Sequence, residues 1–336
     1  MQVHSHAVTS SLAARTTARS RWRTDVKAAV YDRYGPPDVV EIRDVPKPTP
    51  KPGEILIRVR AATVAAGDWR LRRPSPFLAR LFNGLFRPKK VQVLGFELSG
   101  EVEAVGAAVS RFKAGDSVFA FTGFGFGAHA EYRCVQESGR KPQWDGMVAL
   151  KPANLSHEEA AATPVGALTA QYFLRKSGLK KGQSVLIYGA SGSVGTFAVQ
   201  LAKALGAEVT GVCSTANLQL VRGLGAHHVI DYSKEDITAS GRAYDVVFDA
   251  VGKLPSSSAR SALARGGKRE SVRNSAKLEP GDLDLLKDLI EAGKLLPVID
   301  RRFSLEEIVR AHEYVEAGHK KGNVVITISR CSPARS

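Results

Sequence analysis

The sequence predicts an α/β protein, with a small, mostly antiparallel β domain followed by a doubly wound parallel sheet. Three observations carry this. In residues 184–215, SVLIYGASGSVGTFAVQLAKALGAEVTGVCST, an apolar strand (Val185 to Tyr188) meets a small-residue turn. An amphipathic helix with Phe197, Leu201 and Leu205 on one face follows, then a second strand, Val209 to Cys213. That is one βαβ unit. Further strands continue the alternation at HHVIDY (227–232) and VVFDAVG (246–252), with helical stretches at Ala216 to Leu224 and just after Tyr232. ALARGGKRESV (262–272) reads as a helix end, a Gly turn and a fifth strand. Earlier, KAAVYD, ILIRVRAATV and SGEVEAVG are short β elements separated by the Pro and Gly clusters at Pro46 to Gly53 and Lys113 to Asp116.

Length and composition agree with two domains. The 336 residues suffice for two cores, and 43% hydrophobic residues is ordinary for a globular chain. No apolar run reaches the ~18 residues a membrane span needs. The three cysteines, Cys134, Cys213 and Cys331, lie far apart without CxxC spacing, which argues against a disulfide framework and a thiolate metal site. With 48 Lys and Arg against 33 Asp and Glu, the net charge is +15. An anionic partner is one reading of that excess. The charge is spread over the whole length without a recognition motif, so a basic solvated surface suited to a phosphate-bearing cofactor is preferred over nucleic acid.

Residues 1–25 differ from the rest. They carry Arg15, Arg19, Arg21 and Arg23, many Ser, Thr and Ala, and no acid before Asp25. That is the composition of a mitochondrial or plastid transit peptide, and equally of an unprocessed tail or upstream-start extension on a cytoplasmic protein. The second reading is favoured, because the folded pattern begins abruptly at Val26, where a start residue would be natural.

Chemistry concentrates at the first βα turn. Ala190-Ser191-Gly192-Ser193-Val194-Gly195 is a dinucleotide fingerprint with Ala at the first glycine position. Gly192 lets the backbone approach a pyrophosphate, and Gly195 lets the helix pack close to the strand. The helix N-terminus supplies N–H groups and a positive dipole end for phosphate.

The order of GEILIRVRAATVAAGDWR, VLGFELSGEVEAVG, RFKAGDSVFAF, GAHAEY, GALTAQYFL, the fingerprint, LGAHHVIDY and GNVVITI closely resembles the medium-chain dehydrogenase/reductase superfamily, most of all its zinc-lacking quinone oxidoreductase and enoyl reductase branch. The resemblance spans residues 27–329. It implies a GroES-like catalytic domain over 27–150, a Rossmann domain over 151–293 and a C-terminal segment, 294–330, that returns to the first domain. The active site then lies in the cleft between the two.

Zinc-dependent relatives hold the metal with a Cys three residues before a conserved Asp, a His in GHE, and a further Cys. Here Ala65 precedes Asp68, GHE has become Gly95-Phe96-Glu97, and residues 162–170 offer neither Cys nor His. No zinc is expected, because a catalytic site needs three N, S or O ligands and only Glu97 survives. Without that Lewis acid, hydride transfer suits acceptors that are already electrophilic, such as a quinone or an α,β-unsaturated carbonyl. Asp68 is the nearest ionisable catalytic candidate by family position, with a structural role as its alternative. No side chain is assigned as proton donor. Thr169 matches a position beside the nicotinamide and Asn323 one near the pyrophosphate and nicotinamide. Val251 and Tyr232 complete the cofactor-binding set. In 74–90, Phe77, Leu78, Leu81, Phe82, Leu85 and Phe86 are expected on one helical face bordering a hydrophobic acceptor.

Two departures matter. Only eight residues, Arg273 to Pro280, separate the fifth strand from the helix at GDLDLLKDLIEAGK. A crossover needs roughly 12 or more, so the sixth strand is expected to be missing. Lys268, Arg269 and Glu270 would then guard an open edge, leaving a monomer or weak homodimer. At the ribose end, Cys213, Ser214 and Thr215 stand where an NAD-preferring site carries an acid, which predicts NADPH over NADH. The sequence thus points to a zinc-independent, NADPH-dependent reductase of a small hydrophobic electrophile. A catalytically impaired cofactor-binding protein and an anion-binding second role are its alternatives.

Overall fold

The computed structural model describes residues 25–74, 79–139, 141–239 and 241–328. Residues 1–24, Phe77, Leu78 and Cys331 therefore lie outside the described residues. The first part contains β1 (Asp25–Val30), β2 (Glu41–Pro46), β3 (Glu54–Val64), β4 (Glu97–Val105), β5 (Ser117–Phe121), β6 (Tyr132–Gln136) and β7 (Met147–Leu150). Three short helices interrupt it: α1 (Ala66–Arg72), α2 (Ala79–Asn83) and α3 (Pro142–Asp145). Next come α4 (His157–Ala161), α5 (Pro164–Ser177), β8 (Ser184–Tyr188), α6 (Ser193–Ala204), β9 (Glu208–Cys213), α7 (Leu218–Gly223), β10 (His228–Asp231), β11 (Tyr244–Asp249), α8 (Ser256–Ser261), β12 (Leu263–Ser271) and α9 (Asp282–Glu291). The chain closes with β13 (Ile299–Ser304), α10 (Ile308–Glu316) and β14 (Asn323–Thr327).

β1 and β2 form a two-stranded antiparallel sheet. The seven-stranded sheet is built around β3, whose alternating burial reflects a strand with one face in the core. Along one edge β3 pairs with β4, and along the other with β6 and then with β14. The C-terminal strands β13 and β14 are thereby stitched into the first domain, as Val324 to Thr327 pair with Val64 to Ala61. Its core holds Ile55, Ile57, Leu98, Val118, Val324 and Ile326. α4 also packs here, through Ala161 and Ala162 against Ala61 and Val325.

The second sheet is parallel, in the order β10-β9-β8-β11-β12. β-Branched runs such as Ser184–Tyr188 are buried because helices cover both faces. Phe173, Phe197, Phe248, Leu286 and Ile290 fill one side, while Leu186, Val212, Val247 and Ala259 fill the other. Among the described residues this sheet has five strands, and β12 is an edge. The segment after it runs straight into α9, whose buried Asp282 pairs with Arg175 of α5 at 2.9 Å.

Several expectations are corrected. β12 is one continuous strand from Leu263, not a helix end and turn. Gly266, at φ +81°, absorbs a register shift opposite Tyr244 and Val246. No helix follows Tyr232, because Asp231 and Asp236 accept backbone and hydroxyl donors two residues on and so favour turns. Leu205 lies just past α6 and is exposed rather than part of its buried face. Of the three edge guards only Lys268 is exposed. Arg269 bonds the Ser256 hydroxyl and the Leu254 carbonyl, while Glu270 is buried against Lys176. The described part of 74–90 holds only the short α2. Gly84, at φ +118°, ends it, leaving Leu81 and Phe86 exposed and only Phe82 turned inward.

Candidate functional site at the domain junction

The fingerprint turn is tighter than its sequence implies. Gly189, at φ +79°, supplies the left-handed residue, so Ala190 at the next position carries no strain. The Gly189 and Ala190 N–H groups both donate to the Val212 carbonyl, at 3.0 and 2.9 Å. Gly192 starts α6, and no side chain caps it. Its first-turn N–H groups are thus left for a ligand, which is how such a terminus takes phosphate. A Cβ on Gly195 would meet the Gly189 carbonyl oxygen at 2.1 Å, so only glycine lets α6 approach this closely. Val251 packs across the same turn, since a Cβ on Gly189 would lie 2.5 Å from its Cγ1. Val194 is half-buried against the same core. The residues present fit a dinucleotide.

The C-terminal segment closes on this turn. Gly322 donates to the Ser191 carbonyl at 2.8 Å, and Ser193 Oγ donates to Asn323 Oδ1 at 2.6 Å. Asn323 and the fingerprint, 130 residues apart, are in direct contact.

At the end of β9, Asn217 Nδ2 donates to both Ser191 Oγ and Ser214 Oγ, at 3.2 Å each. Accepting from the amide leaves each hydroxyl proton free to turn outward. Thr215 differs from expectation. Its hydroxyl donates to Asp231, which pairs in register with Cys213. Parallel pairing therefore brings a carboxylate beside the end of β9, although it lies 18 residues beyond Cys213 in sequence. Hydroxyl donors from Ser233 and Thr215 hold the Asp231 carboxyl below its ordinary pKa. Tyr232 is exposed, with its ring 6.3 Å from that of Tyr188. Arg222 is exposed on α7, the helix that follows this strand end.

Asp68 does not sit where a substrate could reach it. It is fully buried, accepting from Ala65 N–H and Gly95 N–H at 2.7 Å each. Burial raises its pKa, and its role is to pin the start of α1 to the loop before β4. Thr169 is half-buried and donates to the Val165 carbonyl at 2.7 Å, leaving only its lone pairs for a ligand.

Two features escaped the sequence reading. The first is a cavity of about 340 Å³ lined by Gly67, Leu71, Phe82, Phe96, Phe126 and Trp144, with Arg70 beside it. The Phe96 ring packs against Gly67, where a Cβ would come within 2.5 Å of it, and meets the Phe126 ring at 4.2 Å between centroids with the planes tilted by 49°. Phe126 itself is held at φ +49°, a strained conformation for a bulky residue. A smaller polar cavity of about 190 Å³ beside Glu54, Arg133 and Asp145 lacks apolar lining. The second feature is Glu97, buried next to Phe96. It accepts from the Thr63 hydroxyl and, at 2.6 Å, from Val165 N–H at the start of α5. Desolvation pushes its carboxyl up to about 7. Among the described residues no group of three His, Cys, Asp or Glu side chains is arranged to hold a metal ion, and no helix is long and apolar enough to cross a membrane.

Comparison with known proteins matches residues 51–142 to the alcohol dehydrogenase GroES-like domain, and residues 193–286 and 257–326 to two zinc-binding dehydrogenase families. The chain is 34% identical to 2-methylene-furan-3-one reductase of Solanum lycopersicum, over 95% of this chain and 84% of that protein. It is 33% identical to the chloroplastic NADPH-dependent alkenal/one oxidoreductase of Arabidopsis thaliana, over 97% of this chain and 86% of the relative. Quinone oxidoreductase of Pseudomonas aeruginosa is 33% identical, over 89% and 99%. Among solved structures, the quinone oxidoreductase from Coxiella burnetii superposes with a TM-score of 0.78 at 30% identity, covering 91% of this chain and all of that one.

Proposed function

Because the chain belongs to the medium-chain dehydrogenase/reductase superfamily, we propose that it is a zinc-independent oxidoreductase that uses NADPH to reduce a quinone or an α,β-unsaturated carbonyl. The observation that carries this reading is Phe96, a flat hydrocarbon on Gly67 in an aromatic cavity, where zinc-dependent relatives keep a metal ligand. The names of the relatives support the acceptor class.

A reduced nicotinamide, when bound, supplies the hydride. The chain's own residues bind, orient and exclude water. The uncapped start of α6 with Gly192 and Gly195 takes the phosphates, Asn323 and Ser193 fix the turn, and Phe96, Phe126 and Trp144 hold a planar apolar acceptor in a site with little polar competition. The proton is assigned to solvent, because Asp68 is committed to two backbone donors. The open β12 edge supports a monomer or weak dimer. The chloroplastic name of the Arabidopsis relative favours an address function for residues 1–25.

With a panel of quinones, enones and simple alcohols, purified protein is expected to oxidise NADPH with the first two only, and to keep that activity in chelator. Alcohol oxidation lost on chelation would overturn both the acceptor class and zinc independence.

For the cofactor, NADPH is expected to bind more tightly than NADH by about 1–3 kcal/mol, the range of charge-assisted hydrogen bonds. Ser214, Arg222 and Tyr232 support a 2′-phosphate. Thr215 is withdrawn from that set, and Asp231 works against it. Ser214→Asp is expected to reverse the preference. Equal titration curves for the two cofactors with wild-type protein would refute it.

A further inference from the structure

Lys320 carries a charge that no anionic group among the described residues contacts. Its ammonium donates to the carbonyl of Gly322 and makes no salt bridge. Two carboxylates, Glu97 and Asp300, act on it only through space, and both are already engaged. Glu97 accepts from the Thr63 hydroxyl and Val165 N–H. Asp300 accepts from the Tyr314 hydroxyl at 2.8 Å and from Lys321 N–H at 2.9 Å. Neither makes an ion pair with the lysine in this structure. Desolvation pulls the Lys320 pKa down to about 8. A partly desolvated ammonium held by one carbonyl is a net cost to the fold unless an anion arrives.

Its location says which anion. Gly322 is bridged to Gly192 of the fingerprint turn and donates to Ser191, and the next residue, Asn323, accepts from Ser193. Lys320 therefore lies in the loop that leads into β14, two residues before the Gly322 bridge to the start of α6. The neighbouring Lys321 is exposed, so the two adjacent lysines are not equivalent.

We propose that Lys320 is a cofactor-binding cation, whose ammonium leaves the Gly322 carbonyl for the phosphate bridge of a dinucleotide seated on α6. Glu97, when ionised, favours the charged form of the lysine through space. The inference rests on the nicotinamide-dinucleotide reading above, but it assigns a residue on the C-terminal segment that the fingerprint does not include.

Wild type, Lys320→Met and Lys320→Arg are titrated with NADPH by intrinsic fluorescence, and with 2′-AMP, which carries the 2′-phosphate but no phosphate bridge. Lys320→Met is expected to raise the NADPH Kd by about 10- to 100-fold, the span of one hydrogen bond to a charged group. Arginine should retain most of the affinity, and all three proteins should bind 2′-AMP alike. The ligand-free thermal midpoint of Lys320→Met should equal or exceed that of wild type, which a purely structural lysine would not allow. Undiminished NADPH binding by Lys320→Met overturns the inference while sparing the cofactor reading, as does a parallel loss of 2′-AMP binding. Wild type that binds neither NADPH nor NADH removes both.

Discussion

Gly195→Ala is expected to abolish dinucleotide binding and to destabilise the parallel-sheet domain by about 3 kcal/mol. The added Cβ would stand 2.1 Å from the Gly189 carbonyl oxygen and 2.7 Å from the Ala190 Cα. Both are backbone atoms in a turn fixed by Gly189 and Ala190 bonds to Val212, so no rotamer change relieves the clash. α6 must move away from β8, opening the packing around Phe197 and Val199 that fills one face of the sheet. Urea denaturation with a fluorescence readout measures the loss. A variant with the wild-type midpoint and unchanged NADPH affinity would show that the close approach of α6 is not required.

Asp249→Ala is expected to cost about 3–5 kcal/mol, the range for leaving the partners of a buried charged group unpaired. Asp249 ends β11 and is fully buried. Its carboxylate accepts from the N–H groups of Val251, Gly252, Lys253 and Leu254 and from the Ser271 hydroxyl. It therefore folds the whole 251–254 turn, which places Val251 against the fingerprint, and ties that turn to the edge strand β12. Asp249→Asn should recover only part of the loss, because one amide arm presents donors to donors. Thermal unfolding of both variants, together with NADPH titration, checks it. A cost below about 1 kcal/mol for Asp249→Ala would mean that water replaces the carboxylate throughout.

The order of elements was legible because each strand–turn–helix unit carries its own signal. Val185 to Tyr188, the glycines and the helical face from Phe197 are neighbours in sequence, so periodicity and turn chemistry report them directly. The missing sixth strand was equally legible, since eight residues from Arg273 to Pro280 cannot hold a crossover helix. Local reading failed where hydrogen bonds outcompeted pattern. The turns after Tyr232 follow the side chains of Asp231 and Asp236, and the apolar residues of 74–90 are parted by Gly84.

By itself, then, the sequence determined the α/β architecture, the parallel sheet of five strands among the described residues, the strand–turn–helix unit with its glycines, and the Ala65 and Phe96 found where the resemblance expected metal ligands. Tertiary structure alone decided which groups share a site. Asp231 reached Cys213 by parallel strand pairing, Gly322 and Asn323 reached the fingerprint through the return of β14, and Glu97 reached α5 across the junction. It also buried Asp68, whose carboxylate accepts from two backbone N–H groups. The physical reason is the range of each signal. Strand and helix periodicity is encoded within about a dozen residues, whereas contact, desolvation and charge depend on segments 18 to 130 residues apart that meet only when the cores pack.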